Sequence, residues 1–211
     1  MATIRIDEVN IPQSFDAEQF IRDYFKPMRI SEERKEIREE AARDFRDFLL
    51  FILALIATES AYNVLNWEYI EEQFRIEMER AALKYARDSR TLQDYIAEKA
   101  SSFVSATRDK DLSDPYWTSD ERATGEAAND ANEVMAIDDY NTAIEMGMKY
   151  KTWRGMMDSR ERKSHVKMEG KKIPIRDYFD LDKGIMLYPS DFYHCPAESY
   201  NCRCSCLYTK T

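Results

Sequence analysis

SEERKEIREEAARDFRDFLLFILALIA, residues 31–57, reads as one long helix that changes character along its length. Ser31 followed by Glu32 and Glu33 opens it. A serine oxygen accepts the free N–H groups at a helix start, and acidic residues suit its positive end. The early turns are nearly all charged, whereas the run from Phe48 to Ala57 is apolar all round. Such a helix is expected to start in solvent or against a partner and to end inside a bundle. The run is ten residues long. Spanning a bilayer takes ~20. Burial in protein is therefore expected, with no membrane partner.

Helical signals continue on both sides. Ser14-Phe15-Asp16 offers a cap for a short amphipathic segment carrying Phe20, Ile21, Tyr24 and Phe25, which Pro27 stops. From Trp67 to Tyr85, the residues Trp67, Ile70, Phe74, Met78 and Leu83 recur at three-, four- and five-residue steps. Thr91 with Asp94, and Thr118 with Glu121, have the spacing of capping boxes that open two further helices. Arg108 to Trp117 is a polar, proline-containing connector between them.

After Lys149 the texture changes. Glycines at 155, 170 and 184 and prolines at 174, 189 and 196 punctuate three strand-sized runs, 171–175, 185–188 and 202–208. The predicted architecture is α+β, a long-helix bundle over residues 1–148 followed by a small module with short antiparallel strands over 149–211. At 211 residues the chain is one large domain or two small ones. Only 5 Gly and 6 Pro argue against an all-β meander or a glycine-rich nucleotide fold.

Charge divides at the same place. The whole chain carries -9, yet residues 149–183 hold 11 Lys/Arg against 6 Asp/Glu. Between Asp120 and Glu145 the only basic residue is Arg122, against eight acids. These are either solvated faces or a basic surface for phosphate or an acidic partner, tethered to an acidic bundle. The overall negative charge disfavours a stand-alone DNA-binding module.

The opening Met1-Ala2-Thr3-Ile4-Arg5-Ile6-Asp7-Glu8 is mixed and charged, unlike a secretory signal, so synthesis in a reducing cytoplasm is expected. All four cysteines (Cys195, Cys202, Cys204, Cys206) and both histidines (His165, His194) fall within the last 47 residues. On a strand, Cys202, Cys204 and Cys206 would share one face. Together with a histidine from an upstream turn they could ligate zinc. The ligand set so predicted is His165, Cys202 and Cys204, completed by Cys195 or Cys206. Three other readings stay open at this point: small buried hydrophobes, a disulfide, or a thiol nucleophile with His165 or His194 as its base. The phosphate-cradling and zincin motifs are absent from the sequence.

The order of residues across the second half carries a resemblance. It runs Trp153, then Asp158-Ser159-Arg160-Glu161-Arg162-Lys163-Ser164-His165, Glu169-Gly170, Pro174, Tyr188-Pro189-Ser190-Asp191 and Asn201-Cys202-Arg203-Cys204, with Glu126 and Asn132 upstream. Over about residues 120–207 it resembles the phage Mu F-like head morphogenesis family, the minor head proteins of tailed bacteriophages and prophages. Two departures stand out. Arg162 occupies a slot where many relatives carry a cysteine, and Ala123-Thr124-Gly125-Glu126 replaces the family's usual Arg-Thr-Glu. The segment before about residue 115 is expected to be the long helical region such proteins have.

The resemblance implies a non-enzymatic protein of the virion, made in the host cytoplasm and placed at the portal vertex or capsid interior. Its implied partners are the portal protein, the major capsid or scaffold protein, and packaged double-stranded DNA. Its implied roles are procapsid assembly and DNA packaging or ejection. Lys163, Lys167, Lys171 and Lys172 are the expected contacts to DNA or an acidic portal surface. Arg160 and Arg203 are expected to pair internally with Asp158 or Asp191 and so fix the turns around His165. The alternative is a metal-dependent nuclease or toxin-like enzyme, in which a metal-bound water near His165 hydrolyses phosphodiesters. The end at Thr211 is read as leaving no room for an appended effector domain.

Overall fold

The computed structural model describes residues 15–211; Ser14 and the opening Met1–Glu8 lie outside that range. Five helices come first: α1 (Ala17–Phe25), α2 (Glu32–Ala61), α3 (Trp67–Ala82), α4 (Arg90–Arg108) and α5 (Asp120–Glu145). A short 3-10 turn, Pro115–Thr118, precedes α5. The remainder is β1 (Tyr150–Arg154), α6 (Lys163–Val166), β2 (Lys172–Pro174), β3 (Phe179–Leu181), β4 (Gly184–Met186), α7 (Pro196–Ser199) and β5 (Ser205–Thr209). The order is α+β, as the change of texture at Lys149 predicts. Among the described residues no helix is long and apolar enough to cross a membrane.

Local chemistry sets the helix starts. Asp16 accepts from Gln19 N, Ser31 from Arg34 N and Asn66 from Tyr69 N. The two expected capping boxes are displaced. Ser89 caps α4 through Leu92 N, and Ser119 caps α5 through Arg122 N, so Thr91 lies inside the first turn and Thr118 inside the 3-10 turn. In each case a nearby serine supplies the oxygen, two residues before Thr91 in the first and one residue after Thr118 in the second.

Helix α2 makes its most extensive contact with α5. Both helices bury small residues, Ala41 and Ala42 on α2 and Ala123, Ala127, Ala128 and Ala131 on α5. The end of α2 is not enclosed as its sequence suggests. Leu49, Ile52, Leu53 and Ile56 are buried, but Phe51 remains 50% exposed, because α3 covers one flank only. On α3, Ile70, Phe74 and Met78 face the core; Leu83 is half-exposed past the helix end, and Ala81 and Ala82 hold its inward place.

In the module β1 is central, with antiparallel β2 on one side and β5 on the other; β3 and β4 form a separate hairpin. The core does not break at residue 148. Met156, Ile175 and Tyr188 pack into the helical core, while a second cluster gathers Trp153, Met168, Phe179, Leu181, Met186, Cys195, Cys202 and Cys204.

The seam between module and α5 is polar and buried. Asn132 Nδ2 donates to Ser190 Oγ (2.7 Å) and to the Cys202 carbonyl (2.8 Å), and Arg38 Nε donates to Asn132 Oδ1 (3.2 Å). Beside it, Glu133 accepts from Phe192 N at 3.3 Å. Burial, reinforced by the charge of Asp191, pushes the Glu133 carboxyl well above its ordinary value of 4.5. A raised acid favours the folded state while both states are protonated, below the unfolded pKa, and that advantage is lost as pH climbs through the folded value. Chemical denaturation across pH should therefore show Glu133→Gln gaining stability over the wild type above about pH 4.5, with the two converging in acid.

Candidate functional site

His165 sits on α6, a single turn that an Asx turn sets in place. Arg160 N donates to Asp158 Oδ1 (2.9 Å), and Glu161 N to the Asp158 carbonyl (3.2 Å). The imidazole is 1% exposed and meets the Trp153 ring edge-on at 5.3 Å. Its Nδ1 lies 3.6 Å from Cys202 Sγ and 3.5 Å from Cys204 Sγ. On the opposite edge, Nε2 is 3.3 Å from Glu198 Oε2 but out of line for a hydrogen bond, so it has no satisfied partner. His165, Cys202 and Cys204 form a buried trio whose ligand atoms all lie within 4.8 Å of one another.

The cysteines arrive differently from the strand picture. β5 begins only at Ser205, so Cys202 and Cys204 belong to an irregular run before it and Cys206 alone is on the strand. The cause is local. Asn201 adopts a left-handed backbone at φ 58, and the Cys202 carbonyl is taken by Asn132 and Ser190 instead of a ladder. Cys206 pairs across from Trp153 on β1, outside the trio. Cys195 is also outside it; its Sγ packs on Gly184, 2.9 Å from where a Cβ would stand. The four cysteines are free thiols.

Only asparagine, aspartate and glycine take a left-handed backbone readily. Asn201→Val is expected to lower the melting temperature through a loss of about 1–2 kcal/mol, with Asn201→Gly close to neutral.

Electrostatics single out one sulfur. Burial opposes ionisation of Cys202, but hydrogen bonds from Cys204 and His165 outweigh it and pull this thiol well below its ordinary value. Cys204 moves the opposite way, raised first by its bond to Cys202 and then by burial. For His165, burial works to lower the pKa, and the hydrogen bond and charge of Cys202 reverse that, leaving it raised. Burial raises Cys195 and pushes Cys206 up to about 12.

The other predicted residues are placed by the fold around the trio. Arg203 is buried and pairs with Asp158 at 2.9 Å, as expected. Among the described residues Arg160 has no ion-pair partner; it lines a cleft of about 400 Å³ with Phe20, Asp23, Tyr24, Asn201 and Arg203. Asp191 holds no arginine either. It accepts from Leu187 N and from His194, both at 2.7 Å, which assigns His194 to the loop before α7 and away from the trio. Gly170 turns the chain at φ +73 so that its N–H reaches the Trp153 carbonyl. All four predicted lysines are exposed; Lys167 also pairs with Asp182 at 2.9 Å, and Lys172 lies over the Tyr150 ring at 4.7 Å. The basic surface is thus partly engaged with the module itself.

Two acids escaped the sequence reading. Glu161 stands four residues before His165, and its Oε1 lies 3.5 Å from Cys204 Sγ while Oε2 accepts from Met157 N. Glu198, 1% exposed, reaches His165 and accepts from Ser164 Oγ at 3.0 Å. The four-residue spacing could have flagged the first; nothing local in sequence joins Glu198 to His165.

Residues 50–207 match the family described as Phage Mu protein F like protein. No curated protein and no solved structure matches the chain. The match starts inside α2, well before residue 120 where the motif resemblance begins, so α3 and α4 lie within the shared region. It also takes in the whole His165–Cys202–Cys204 trio. The chain belongs to the Phage Mu protein F-like family.

Proposed function

We propose that this protein is a minor head component of a tailed phage, built into the virion, which binds the portal protein during procapsid assembly and works without catalytic turnover. The family match over residues 50–207 carries the reading. The closed thiol–imidazole trio supports its last part: His165, Cys202 and Cys204 are 1%, 2% and 4% exposed, so a substrate has no route to them. Catalytic metal sites keep an open position, whereas structural ones are enclosed.

The α2–α3 hairpin is the part best suited to a partner. It leaves Phe51, Tyr62, Val64, Tyr69 and Ile76 exposed, and Phe51 lines a groove together with Asp44, Asp47, Glu77, Arg80 and Lys84. Apolar side chains within a charged rim are the usual anatomy of a docking surface. A partial reading for packaged DNA rests on Lys163 and Lys171 alone, and is the weaker one.

Co-expression with the portal protein of the same phage, followed by size-exclusion chromatography with light scattering, should give a joint complex. Phe51→Glu should abolish it while leaving the circular dichroism unchanged. Separate elution of the two wild-type proteins, or a joint complex with capsid or scaffold protein alone, overturns the portal assignment.

A further inference from the structure

We propose that His165, Cys202, Cys204 and Glu161 form a structural zinc site, with Glu198 as the outer carboxylate that orients the histidine. This goes beyond the assembly role and stands or falls separately from it.

The argument begins with edge lengths. Zinc holds nitrogen at ~2.0–2.1 Å and thiolate sulfur at ~2.3 Å, so a tetrahedral angle separates the two donors by about 3.6 Å. His165 Nδ1 lies 3.6 Å from one sulfur and 3.5 Å from the other. A carboxylate oxygen at ~2.0–2.2 Å would likewise stand about 3.6 Å from a thiolate. Glu161 Oε1 is 3.5 Å from Cys204 Sγ. Three edges of the tetrahedron are therefore present at their metal-bound lengths.

The outer contacts agree. Metal-ligating histidines usually donate their other ring N–H to a carboxylate, which fixes tautomer and orientation. Here Nδ1 faces the sulfurs and Nε2 faces buried Glu198 at 3.3 Å, without the alignment of a hydrogen bond. A small ring rotation, such as a metal on Nδ1 would impose, turns that contact into the required bond. Glu198 cannot itself be a ligand, because it lies on the far edge of the ring from both sulfurs.

Glu161 is free to complete the set. Its Oε2 is anchored by Met157 N at 2.6 Å, and Oε1 stands along the Cys204 edge of the trio. Gly155 gives it room: a Cβ there would meet Oε1 at 2.1 Å. A turn of the carboxylate toward His165 closes the fourth corner. Cys195 and Cys206, the fourth ligands the sequence offers, lie outside the trio. Two thiolates, an imidazole and a carboxylate in an enclosed tetrahedron suit zinc better than magnesium or calcium, which take oxygen donors.

The test uses the full chain, purified under reducing conditions without chelator. Elemental analysis should find one zinc per chain, and cobalt loading should give the intense visible absorption of a tetrahedral thiolate complex. Cys202→Ser and His165→Ala should lose the metal, but either variant can fail to fold. Glu161→Gln keeps the Met157 contact and leaves the core intact. By competition against a chromophoric chelator it should weaken zinc binding at least about tenfold, and Glu198→Gln should do so by about 10–100-fold. Absence of zinc from the wild type and failure to take up cobalt, or an unchanged affinity in Glu161→Gln, overturns the site.

Discussion

Lys99→Met should lower folding stability by about 3–5 kcal/mol in urea denaturation, the cost of leaving a buried charge without its partner. Lys99 is 4% exposed, with Nζ 2.8 Å from both Glu126 Oε2 and Asp130 Oδ1. Burial works to lower its pKa; Asp130 and Glu126 outweigh that and hold the ammonium charged. Asp130 is fully buried, and Tyr95 adds a hydrogen bond to its Oδ1 at 2.8 Å. Asp130 Oδ2 has no partner. Without the ammonium the carboxylate has one phenol left to solvate it. Lys99→Met combined with Asp130→Asn should recover part of the loss, since the fully buried carboxylate is then gone and only Glu126 is left without its cation. A double-mutant cycle that sums the single effects would refute the coupling.

Trp153→Ala should cost about 3–5 kcal/mol as well, the range for removing a large buried aromatic. Trp153 has no exposed surface and sits where three features meet. It is the fourth of the five residues of β1, pairing with Cys206 on β5. Its ring meets Phe179 edge-on at 5.0 Å and His165 at 5.3 Å, and its carbonyl accepts from Gly170. The cavity left by alanine would open beside the imidazole. The loss should therefore be accompanied by faster reaction of Cys202 with a thiol reagent under native conditions. Slow labelling at wild-type rates would show that the module closes over the gap.

The helical part was readable because its signals are local. Ser31 caps the helix it precedes, and Ile70, Phe74 and Met78 recur at helical spacing and face inward. Phe51 shows the limit: ten apolar residues say that a segment is hydrophobic, but not how many neighbours cover it. In the module, pairing His165 with Cys202 and Cys204 was legible from residue type, whereas the geometry was not. A strand reading of Cys202–Tyr208 places three sulfurs on one face; Asn201 and the distant Asn132 hold the first part out of the sheet. Contacts such as Asn132 to Cys202 and His165 to Glu198 join residues far apart in sequence, and no periodicity announces them. Glu161, four residues from His165, was within reach and was read only as part of a motif.

The central place of β1 sets an order of events during synthesis. Its partner β5 lies some fifty residues downstream, and the Asn132 Nδ2 group donates to groups at 190 and 202. While the ribosome is still making residues 155–200, the earlier helices can already be packed, with one flank of α5 holding unanswered amide N–H donors and a bare apolar seat. Long-range pairing is slow to form, so that interval is when a chaperone or a neighbouring copy would find the chain easiest to seize.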